Sequence, residues 1–575
     1  MRFSKLIKEV NKKYGVSVVQ TERSIILSGE MDSWEDIVNV GYLFVDPEKK
    51  RYVVNEIRLR NHNEEPMHLP AITDDSLEGK EVDVLVIGGG IIGATILREL
   101  SKYQLKSLLI EKEADLALGA SGANDGMIHP GIDLKPGTLK AKYCLKGNKM
   151  YEALSRELDF DFQRCGQYIV FGSKSDRALS FYLKHKAKIL GIKGFKVLSK
   201  KELISREPET EPWAEGAVYL SDTGIISPYQ AVIAFTENAL NNGAEIALET
   251  ACLGFILEEG KIIGVKTNRG LIRPKIIINA AGVFADKIAE FADDKYFSIH
   301  PRKGTDLILD SKVKHLVNTI ISRFPKISQR HSHTKGGAII STVDGNLLIG
   351  PDAEEVPDRE NNATTKASLE RVINKHRGVI PKIKASDVIA YFSGVRAATY
   401  EEDFIIEKSK KVKNLFHVAG IQSPGLTAAP AIAVDIVGMA LDYLRPNYKI
   451  DLNLAFNPYR KRIPRLALLP PEERAELIKD DPDYGQIVCR CEKVSLGEIK
   501  AAIHSQLPAT SIDALKRRVR TGMGRCQGGF CTPQLLKILS EELKIDFLKV
   551  KKRGSNTEIG LYQTKGTEGE DDDRL

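Results

Sequence analysis

The segment EVDVLVIGGGIIGATILRELSKYQLKSLLIEKE, residues 81–113, restricts the fold of this chain more than any other feature. An apolar run leads directly into GGGIIG, a helical pattern follows, and a second apolar run ends near Glu111. Gly88 permits the tight turn, Gly90 lets the backbone approach a pyrophosphate, and Gly93 lets the helix pack closely on the strand. Glu111 follows Gly88 by 23 residues, where an acidic side chain can accept hydrogen bonds from a ribose. The segment predicts a βαβ unit with a dinucleotide at the helix N-terminus.

The rest of the chain has the composition of a multidomain globular protein. At 575 residues it is too long for one core, and we expect two to four domains. No run of 18 apolar residues occurs; the most apolar stretch, 426–444, is interrupted by Pro430 and Asp435, which predicts a buried helix rather than a membrane span. The N-terminus lacks the apolar region of a signal peptide, so we expect a cytoplasmic protein with reduced thiols.

The net charge of +7 is modest for this length. Basic residues are spread along the chain except at 515–520 and 548–555. Because solvated basic faces explain such short runs, the sequence does not predict binding to nucleic acid.

Six blocks follow one another along the chain. They are 1–60, a small αβ block; 61–80, a linker; 81–465, an α/β domain; 466–483, a linker helix; 484–555, a small, mostly helical block that holds four cysteines; and 556–575, an acidic tail expected to be disordered. The first block follows a helix, strand, strand, helix, strand pattern. It resembles a BON domain, a module usually linked to binding or assembly, although a plain structural cap would give the same pattern.

Three further segments carry glycine-rich turns that could face a cofactor. Segment 118–154 begins with a loop rich in glycine, serine and asparagine, whereas 273–290 and 414–438 each combine a strand, a glycine turn and a helix. The candidate cofactor residues in these segments are Ser121, Asn124, Gly126, Met127, Gly282, Gly420, Gly425, Leu426 and Thr427. The dinucleotide pattern alone does not distinguish FAD from NAD.

The ordered set SGANDGMIHPGID, KPGTLKAKYCLKG, NAAGVFAD, STVDGNLLIGP, YFSGVRAAT and GIQSPGLTAAPAIA resembles the FAD-dependent oxidoreductases of the D-amino-acid oxidase superfamily. Within it, the set is most similar to glycerol-3-phosphate dehydrogenases and oxidases and to L-2-hydroxyglutarate oxidases. The resemblance implies extended FAD on a Rossmann-like domain, about 81–154, 221–294 and 386–450. It also implies an inserted β-sheet substrate domain, about 155–220 and 295–385.

His129, in GMIHPG, is the candidate base for oxidation of an alcohol. Its ordinary pKa near 6.5 suits proton removal at neutral pH. The family resemblance places a histidine of this motif near the flavin ring. A histidine that only orients the loop is the alternative interpretation.

Cationic side chains are needed to hold an anionic substrate. Arg396 is the preferred candidate because its guanidinium can bind a phosphate or carboxylate through two hydrogen bonds. Lys303, in PRKG, matches a segment of glycerol-3-phosphate oxidases, which implies a position near the flavin or substrate. Arg302 is a further candidate, as is the positive cluster Arg330, His331, His333 and Lys335, for which a solvated loop is an equal alternative.

Four of the seven cysteines lie within 43 residues, in the order C-x-C, 34 residues, C-x4-C. Zinc ribbons usually use C-x2-C, and neither pair has that spacer. Glycines in GMGRCQGGFC can direct N–H groups at sulfur, and a helix beginning near Thr532 would add its positive end. The segment resembles a bacterioferritin-associated-ferredoxin-type [2Fe–2S] domain, which implies Cys489, Cys491, Cys526 and Cys531 as ligands. Zinc and disulfides are the lesser alternatives, and Cys144, Cys165 and Cys252 are expected to be buried thiols.

These resemblances lead to one functional hypothesis. We expect an FAD and [2Fe–2S] enzyme that oxidises sn-glycerol 3-phosphate to dihydroxyacetone phosphate, since a similar fused domain occurs in anaerobic glycerol-3-phosphate dehydrogenases. Its electrons would pass to a second flavoprotein or a quinone-linked partner in an oligomer or hetero-complex, in the cytoplasm or at the membrane surface. The alternatives are an L-2-hydroxyglutarate or other 2-hydroxy-acid dehydrogenase, and an electron-relay or assembly protein without its own turnover.

Overall fold

The computed structural model describes residues 2–46, 48, 51–210, 212–324 and 337–562. The chain divides into two units, Met1–Lys461 and Arg462–Leu575. The predicted positive cluster Arg330, His331, His333 and Lys335 lies outside the described residues, as does most of the predicted tail.

The N-terminal block is a three-stranded sheet with two helices. Its elements are α1 (Arg2–Tyr14), β1 (Ser17–Gln20), β2 (Ser24–Met31), α2 (Trp34–Leu43) and β3 (Tyr52–Leu59). Strand β2 is central, antiparallel to β1 and parallel to β3. This is the element order that the sequence predicts, whereas the likeness to a BON domain stays a prediction. Tyr400, from the next domain, packs into the core of this block.

Residues 80–461 contain twenty strands and ten α-helices among the described residues. The strands are β4 (Lys80–Ile87), β5 (Ser107–Ile110), β6 (Met127–Ile128), β7 (Phe162–Gln163), β8 (Gln167–Val170), β9 (Phe195–Leu198), β10 (Ala217–Leu220), β11 (Gly224–Ile226), β12 (Glu245–Ala247), β13 (Cys252–Glu258), β14 (Lys261–Thr267), β15 (Gly270–Asn279), β16 (Ile299–Leu309), β17 (Ile320–Arg323), β18 (Ala338–Ser341), β19 (Leu347–Gly350), β20 (Glu354–Glu355), β21 (Val388–Thr399), β22 (Ile405–Lys408) and β23 (Leu415–Ala419). The helices are α3 (Ile91–Leu100), α4 (Leu139–Asn148), α5 (Tyr151–Leu158), α6 (Lys174–Ala178), α7 (Ser180–Leu190), α8 (Lys200–Arg206), α9 (Pro228–Asn241), α10 (Ala285–Phe291), α11 (Lys366–Arg377) and α12 (Gly425–Leu444).

The nucleotide-binding sheet has the strand order β12-β5-β4-β15-β14-β13, with β23 also paired to β15 and β22 to β23. Strands β12, β5, β4, β15 and β23 run parallel to their neighbours. The middle of β4 is a continuous apolar run because helices such as α3 and α12 cover one face and the second core cluster covers the other. The predicted βαβ unit is therefore present as β4, α3 and β5.

A second, larger sheet carries the candidate substrate residues. Its order is β20-β16-β19-β18-β17-β8-β10-β9, and β21 pairs with β16 from Ile299↔Thr399 to Leu309↔Val388. Helix α11 packs on β16 and β19. Because β21 belongs to this sheet while β22 and β23 belong to the nucleotide-binding sheet, the predicted FAD-binding segment 386–450 is divided between the two sheets.

The second unit contains four α-helices and one short hairpin among its described residues. They are α13 (Pro471–Asp480), β24 (Ile487–Cys489), β25 (Val494–Ser495), α14 (Leu496–Ile503), α15 (Ile512–Val519) and α16 (Thr532–Leu543). Cys489 and Cys531 lie at the edge of a core built from α14, α15 and α16. The two helices predicted on either side of Pro508 and the helix predicted near Thr532 are all present.

Helix α12 is the one described helix that is long and apolar enough to cross a bilayer by length and composition. Two thirds of its most apolar window is buried inside the protein. It packs against α3 and α4, which agrees with the buried helix that the sequence predicts.

Candidate functional site

The turn between β4 and α3 accepts only glycine at two positions. Gly88 has φ +115°, and a Cβ there would lie 2.5 Å from the Ala280 carbonyl oxygen. A Cβ on Gly93 would lie 1.9 Å from the carbonyl oxygen of Gly88. Gly90 is the N-cap of α3, and a Cβ there would lie 2.9 Å from Ser121 Oγ. The turn thus presents bare backbone at the start of a helix, which fits the pyrophosphate of a dinucleotide.

Ser121 and Glu111 hold this turn from two sides. Ser121 Oγ accepts a hydrogen bond from the Ile91 N–H at 2.9 Å, so it caps the first turn of α3. Glu111 follows β5, and its carboxylate accepts the N–H groups of Gly89 at 2.6 Å and Glu113 at 2.9 Å. Burial raises the pKa of Glu111 although these two backbone bonds oppose the rise. Both side chains shape the turn; their contacts with a cofactor stay predictions.

The loop before β6 is tied together by Asn124. Its amide donates to the carbonyls of Ala120 and Ser121 at 3.0 and 2.9 Å, and its Oδ1 accepts the Gly126 N–H at 2.9 Å. Gly126 has φ +71°, and a Cβ there would meet the Ile226 carbonyl oxygen at 2.3 Å. The loop is therefore a fixed wall beside the turn.

Thr427 joins this loop to α12. Its hydroxyl accepts the His129 N–H at 2.9 Å and reaches the Met127 carbonyl at 3.4 Å. His129 is half-buried, and its Nε2 lies 3.4 Å from Ser423 Oγ in the turn between β23 and α12. Its own carbonyl accepts Asn148 Nδ2 at 2.8 Å. The candidate base is thus fixed at both its backbone groups, at the turn that precedes α12.

Three further candidate cofactor residues lie at turns that end strands of the nucleotide-binding sheet. Gly420 follows β23 with φ +64°, Gly425 begins α12 just before Leu426, and Gly282 follows β15 with φ +57°. A Cβ on Gly282 would meet nothing within 4 Å. Since β4, β15 and β23 are parallel neighbours, these turns lie at the same sheet edge as Gly88.

Arg396 and Arg302 are directly opposite each other on β21 and β16, so their side chains share one face of the sheet. Arg302 Nε donates to Glu355 Oε1 at 2.6 Å and Nη2 donates to Glu402 Oε1 at 2.7 Å. Burial would raise the pKa of Glu402, but Arg302 and Lys140 outweigh it and lower that pKa to about 2. Arg302 is therefore occupied by two carboxylates and is a poor candidate for binding substrate.

Arg396 is in the opposite situation. Its Nη2 donates to the Asp352 carbonyl at 3.1 Å, and among the described residues no carboxylate lies within ion-pair distance of it. A Cβ on Gly304 would meet Arg396 Nη2 at 1.9 Å, so the guanidinium lies directly on the β16 backbone. Burial lowers the pKa of Arg396. A desolvated guanidinium with N–H groups to spare fits an anionic ligand.

Lys303 does not lie beside Arg396. It pairs with Val395, one residue along from the two arginines, and so faces the other side of the sheet. It is 3% exposed and makes no ion pair with a described residue. The structure brings His129 and Arg396 to the region of the glycine turns but separates Lys303 from Arg396.

Asp306 is a buried carboxyl that the sequence analysis missed. It shares the face of Arg302 and Arg396 on β16, and its Oδ1 has no hydrogen-bond partner among the described residues. Burial and the nearby Asp125 raise its pKa, and Arg396 opposes that rise. A lone aspartate inside a strand carries no local pattern that would have identified it.

The cysteines of the second unit meet as two pairs. The thiols of Cys489 and Cys531 are in hydrogen-bond contact, as are those of Cys491 and Cys526. Contact with Cys531 lowers the pKa of Cys489 to about 6 and raises that of Cys531. Within residues 337–562 and the other described ranges, no three His, Cys, Asp or Glu side chains converge as ligands of a single metal ion.

The surroundings of these pairs fit a two-iron cluster, in which each iron takes two thiolates, better than one tetrahedral zinc. Backbone N–H groups of Gly522 and Glu492 are directed at Cys489, and those of Phe530 and Gly528 at Cys526. Helix α16 begins directly after Cys531 and adds its positive end. The glycines thus have the role that the sequence predicts. Of the isolated cysteines, Cys144 and Cys252 are buried as expected, whereas Cys165 is partly exposed because it follows the short edge strand β7.

Residues 83–439 match the family model described as FAD dependent oxidoreductase. The chain belongs to this family. Residues 487–541 of the oxidoreductase match the model of the BFD-like [2Fe-2S] binding domain. FAD and a [2Fe–2S] cluster are therefore its cofactors, and both cofactor predictions and the predicted α/β fold class are confirmed.

Similar proteins cover most of the oxidoreductase. A protein of Caloramator mitchellensis named glycerol 3-phosphate dehydrogenase is 39% identical over 84% of this chain and 99% of its own. The first component of the anaerobic glycerol-3-phosphate dehydrogenase of Escherichia coli K12 is 24% identical over 79% of this chain and 87% of its own. The FAD-bound structure of L-alpha-glycerophosphate oxidase from Mycoplasma pneumoniae has a TM-score of 0.61 at 29% identity, covering 66% of this chain and 98% of that one.

Proposed function

We propose that this oxidoreductase converts sn-glycerol 3-phosphate to dihydroxyacetone phosphate. The observation that carries the proposal is the 39% identity, over 84% of the chain, to a relative named for this substrate. The site agrees with it, because Arg396 offers a buried guanidinium without a carboxylate partner among the described residues, on the face that meets the loop of residues 120–126.

The division of labour among the residues follows from their contacts. Bound FAD supplies the hydride acceptor for the carbon that becomes the ketone. His129 Nε2 takes the hydroxyl proton, and the contact with Ser423 Oγ together with the two backbone hydrogen bonds fixes the ring. The loop tied by Asn124 and the buried sheet face exclude water from the reacting carbon.

Arg396 holds the phosphate. Its hydrogen bond to the Asp352 carbonyl uses one N–H of Nη2, which leaves N–H groups for two phosphate oxygens. Arg302 lies directly opposite and repels the charge of Arg396, so a bound anion relieves an unfavourable pair. A carboxylate would satisfy the same group, so L-2-hydroxyglutarate is the competing substrate that the experiment must include.

The electrons leave through the second unit. A [2Fe–2S] cluster carries one electron at a time, and its presence favours a protein acceptor over oxygen. By the likeness to the anaerobic enzyme, we expect the acceptor to be a second flavoprotein or a quinone-linked partner, in an oligomer or hetero-complex. We place this reaction in the cytoplasm or at the membrane surface, and an assembly role for the BON-like block is part of the same proposal.

The test is turnover of the purified holoenzyme with an artificial electron acceptor. We expect kcat/KM for sn-glycerol 3-phosphate to exceed that for L-2-hydroxyglutarate by about a hundredfold or more. His129→Ala should lower kcat by about 10²–10⁴ with FAD retained, because it removes the base and leaves the backbone contacts. A preference for L-2-hydroxyglutarate would reject the substrate. Absence of turnover with either alcohol would favour an electron-relay protein.

A further inference from the structure

The N-terminal block reaches into the buried polar core of the oxidoreductase domain through one tyrosine. Tyr42, on α2, accepts a hydrogen bond from Arg302 Nη2 at 2.6 Å and donates to Glu402 Oε1 at 2.7 Å. Its hydroxyl also lies 3.3 Å from His300 Nε2, and His300 Nδ1 lies 2.8 Å from Glu355 Oε2. The tyrosine hydroxyl therefore closes a ring of two carboxylates around Arg302.

The same ring extends to the turn before α12. Arg302 Nη1 donates to Gln422 Oε1 at 3.3 Å, and Gln422 Nε2 donates to Glu402 Oε2 at 2.6 Å. Gln422 precedes Ser423, whose hydroxyl contacts the candidate base His129. Three contacts thus connect a side chain of the N-terminal block with the turn that bears Gly420 and Gly425.

The block is docked by backbone contacts as well as by this side chain. The Val53 N–H donates to Glu401 Oε1 at 2.8 Å, and the Asn55 N–H donates to Ser298 Oγ at 3.0 Å. A Cβ on Gly41 would lie 2.2 Å from the ring of Tyr400, so α2 rests directly on the domain. Contacts as close as these fix the position of Tyr42, which would not follow from a flexible tether.

We infer that the N-terminal block is a working part of the oxidoreductase site and that Tyr42 is a positioning residue for the cofactor turn. By holding Arg302 and Glu402, it fixes Gln422 and therefore the turn of residues 420–425 against which FAD binds. The family match begins at residue 83, so the block is an addition to the matched domain that completes its site. This inference rests on the proposed function only for the choice of substrate.

The test compares Tyr42→Phe with Tyr52→Phe in the full chain. Tyr52 lies in the same block at the same domain interface, packed edge-on against Tyr296, but its hydroxyl is not part of the ring around Arg302. For Tyr42→Phe, the affinity for FAD, followed by FAD fluorescence, should weaken about tenfold, as expected for one lost hydrogen bond to a charged group. The visible spectrum of bound flavin should shift, and Tyr52→Phe should match the wild type.

A double-mutant cycle shows whether the effect passes through the ring. Tyr42→Phe and Gln422→Ala should each weaken FAD binding, and the double variant should be little worse than either, because both interrupt one path. Equal FAD affinity in Tyr42→Phe and Tyr52→Phe would overturn the inference. So would a lower Tm for Tyr42→Phe without a change in FAD affinity, since the role would then be structural. FAD affinity needs no substrate, so failure of the substrate proposal leaves this test readable.

Discussion

Arg302 and Arg396 lie directly opposite each other on neighbouring strands, yet only Arg302 is paired with carboxylates of the described residues. Two like charges at directly opposed positions are unfavourable. Glu355 and Glu402 neutralise Arg302 and leave the positive charge of Arg396 for a ligand. The pair divides the work: one arginine builds the site, and the other is available to bind an anion.

Replacing Arg396 should therefore affect substrate binding more than folding. We expect Arg396→Met to raise KM for sn-glycerol 3-phosphate about a hundredfold, because truncating one partner of a buried charge pair costs about 2–5 kcal/mol, while FAD content stays near one per chain. Steady-state kinetics with an artificial acceptor measures this. Arg371→Met is the control, since Arg371 is a half-exposed arginine on α11 that pairs with Asp352 at the surface. Equal KM values in the two variants would show that Arg396 does not hold the anion.

The turn after β4 should not tolerate a methyl group at Gly93. A Cβ there would lie 1.9 Å from a backbone oxygen that cannot move aside, so Gly93→Ala should destabilise by about 1–3 kcal/mol and lose bound FAD. Gly438→Ala, within α12, meets nothing within 4 Å and should be neutral or stabilising by up to about 1 kcal/mol. Urea unfolding and flavin content measure both. A Gly93→Ala protein with full FAD would contradict the role of this turn.

The cysteine pairs predict how iron depends on single thiols. Cys489→Ser should remove most iron and acid-labile sulfide, because it breaks one of the two pairs, while FAD remains bound by residues 83–439. Cys165→Ser should retain both cofactors, since Cys165 belongs to the other unit. Metal and sulfide analysis of the purified variants gives the answer. Zinc without iron in the wild-type protein would reject the [2Fe–2S] assignment.

His376 predicts part of the acid sensitivity of the fold. It is buried on α11, and burial lowers its pKa from 6.5 to about 4. Below pH 6.5 the unfolded chain binds a proton at this site that the folded chain refuses. Stability should then fall by about 1.4 kcal/mol per pH unit as the pH drops toward 4, and this group should have no effect above pH 7. Urea unfolding of His376→Gln should show a shallower dependence between pH 6.5 and 4. Parallel curves for the two proteins would contradict the assignment.

Much of the fold follows from local patterns. The glycine spacing after β4 and the apolar run before it predict the βαβ unit, because each glycine has a steric reason that does not depend on distant contacts. The cysteine spacing with its glycines likewise predicts the cluster site. These features are short, and their physics is contained within a few residues.

The larger sheet and the polar ring could not be predicted in this way. Nearly all residues of β16 are buried, so it lacks the alternation that would have shown Lys303 and Arg396 on different faces. Strand β17 pairs with β8, about 150 residues earlier, and Tyr42 meets Arg302 across 260 residues. Such contacts depend on how domains dock, which no local pattern encodes.

The central claim is that a small anionic alcohol delivers electrons to the flavin and then to the cluster of one chain. Anaerobic addition of sn-glycerol 3-phosphate to the holoenzyme, followed by visible absorption, tests it most directly. We predict loss of the flavin band together with reduction of the iron–sulfur chromophore, and neither change with Arg396→Met at the same substrate concentration. An unchanged flavin band with sn-glycerol 3-phosphate, and bleaching with L-2-hydroxyglutarate, would contradict the account.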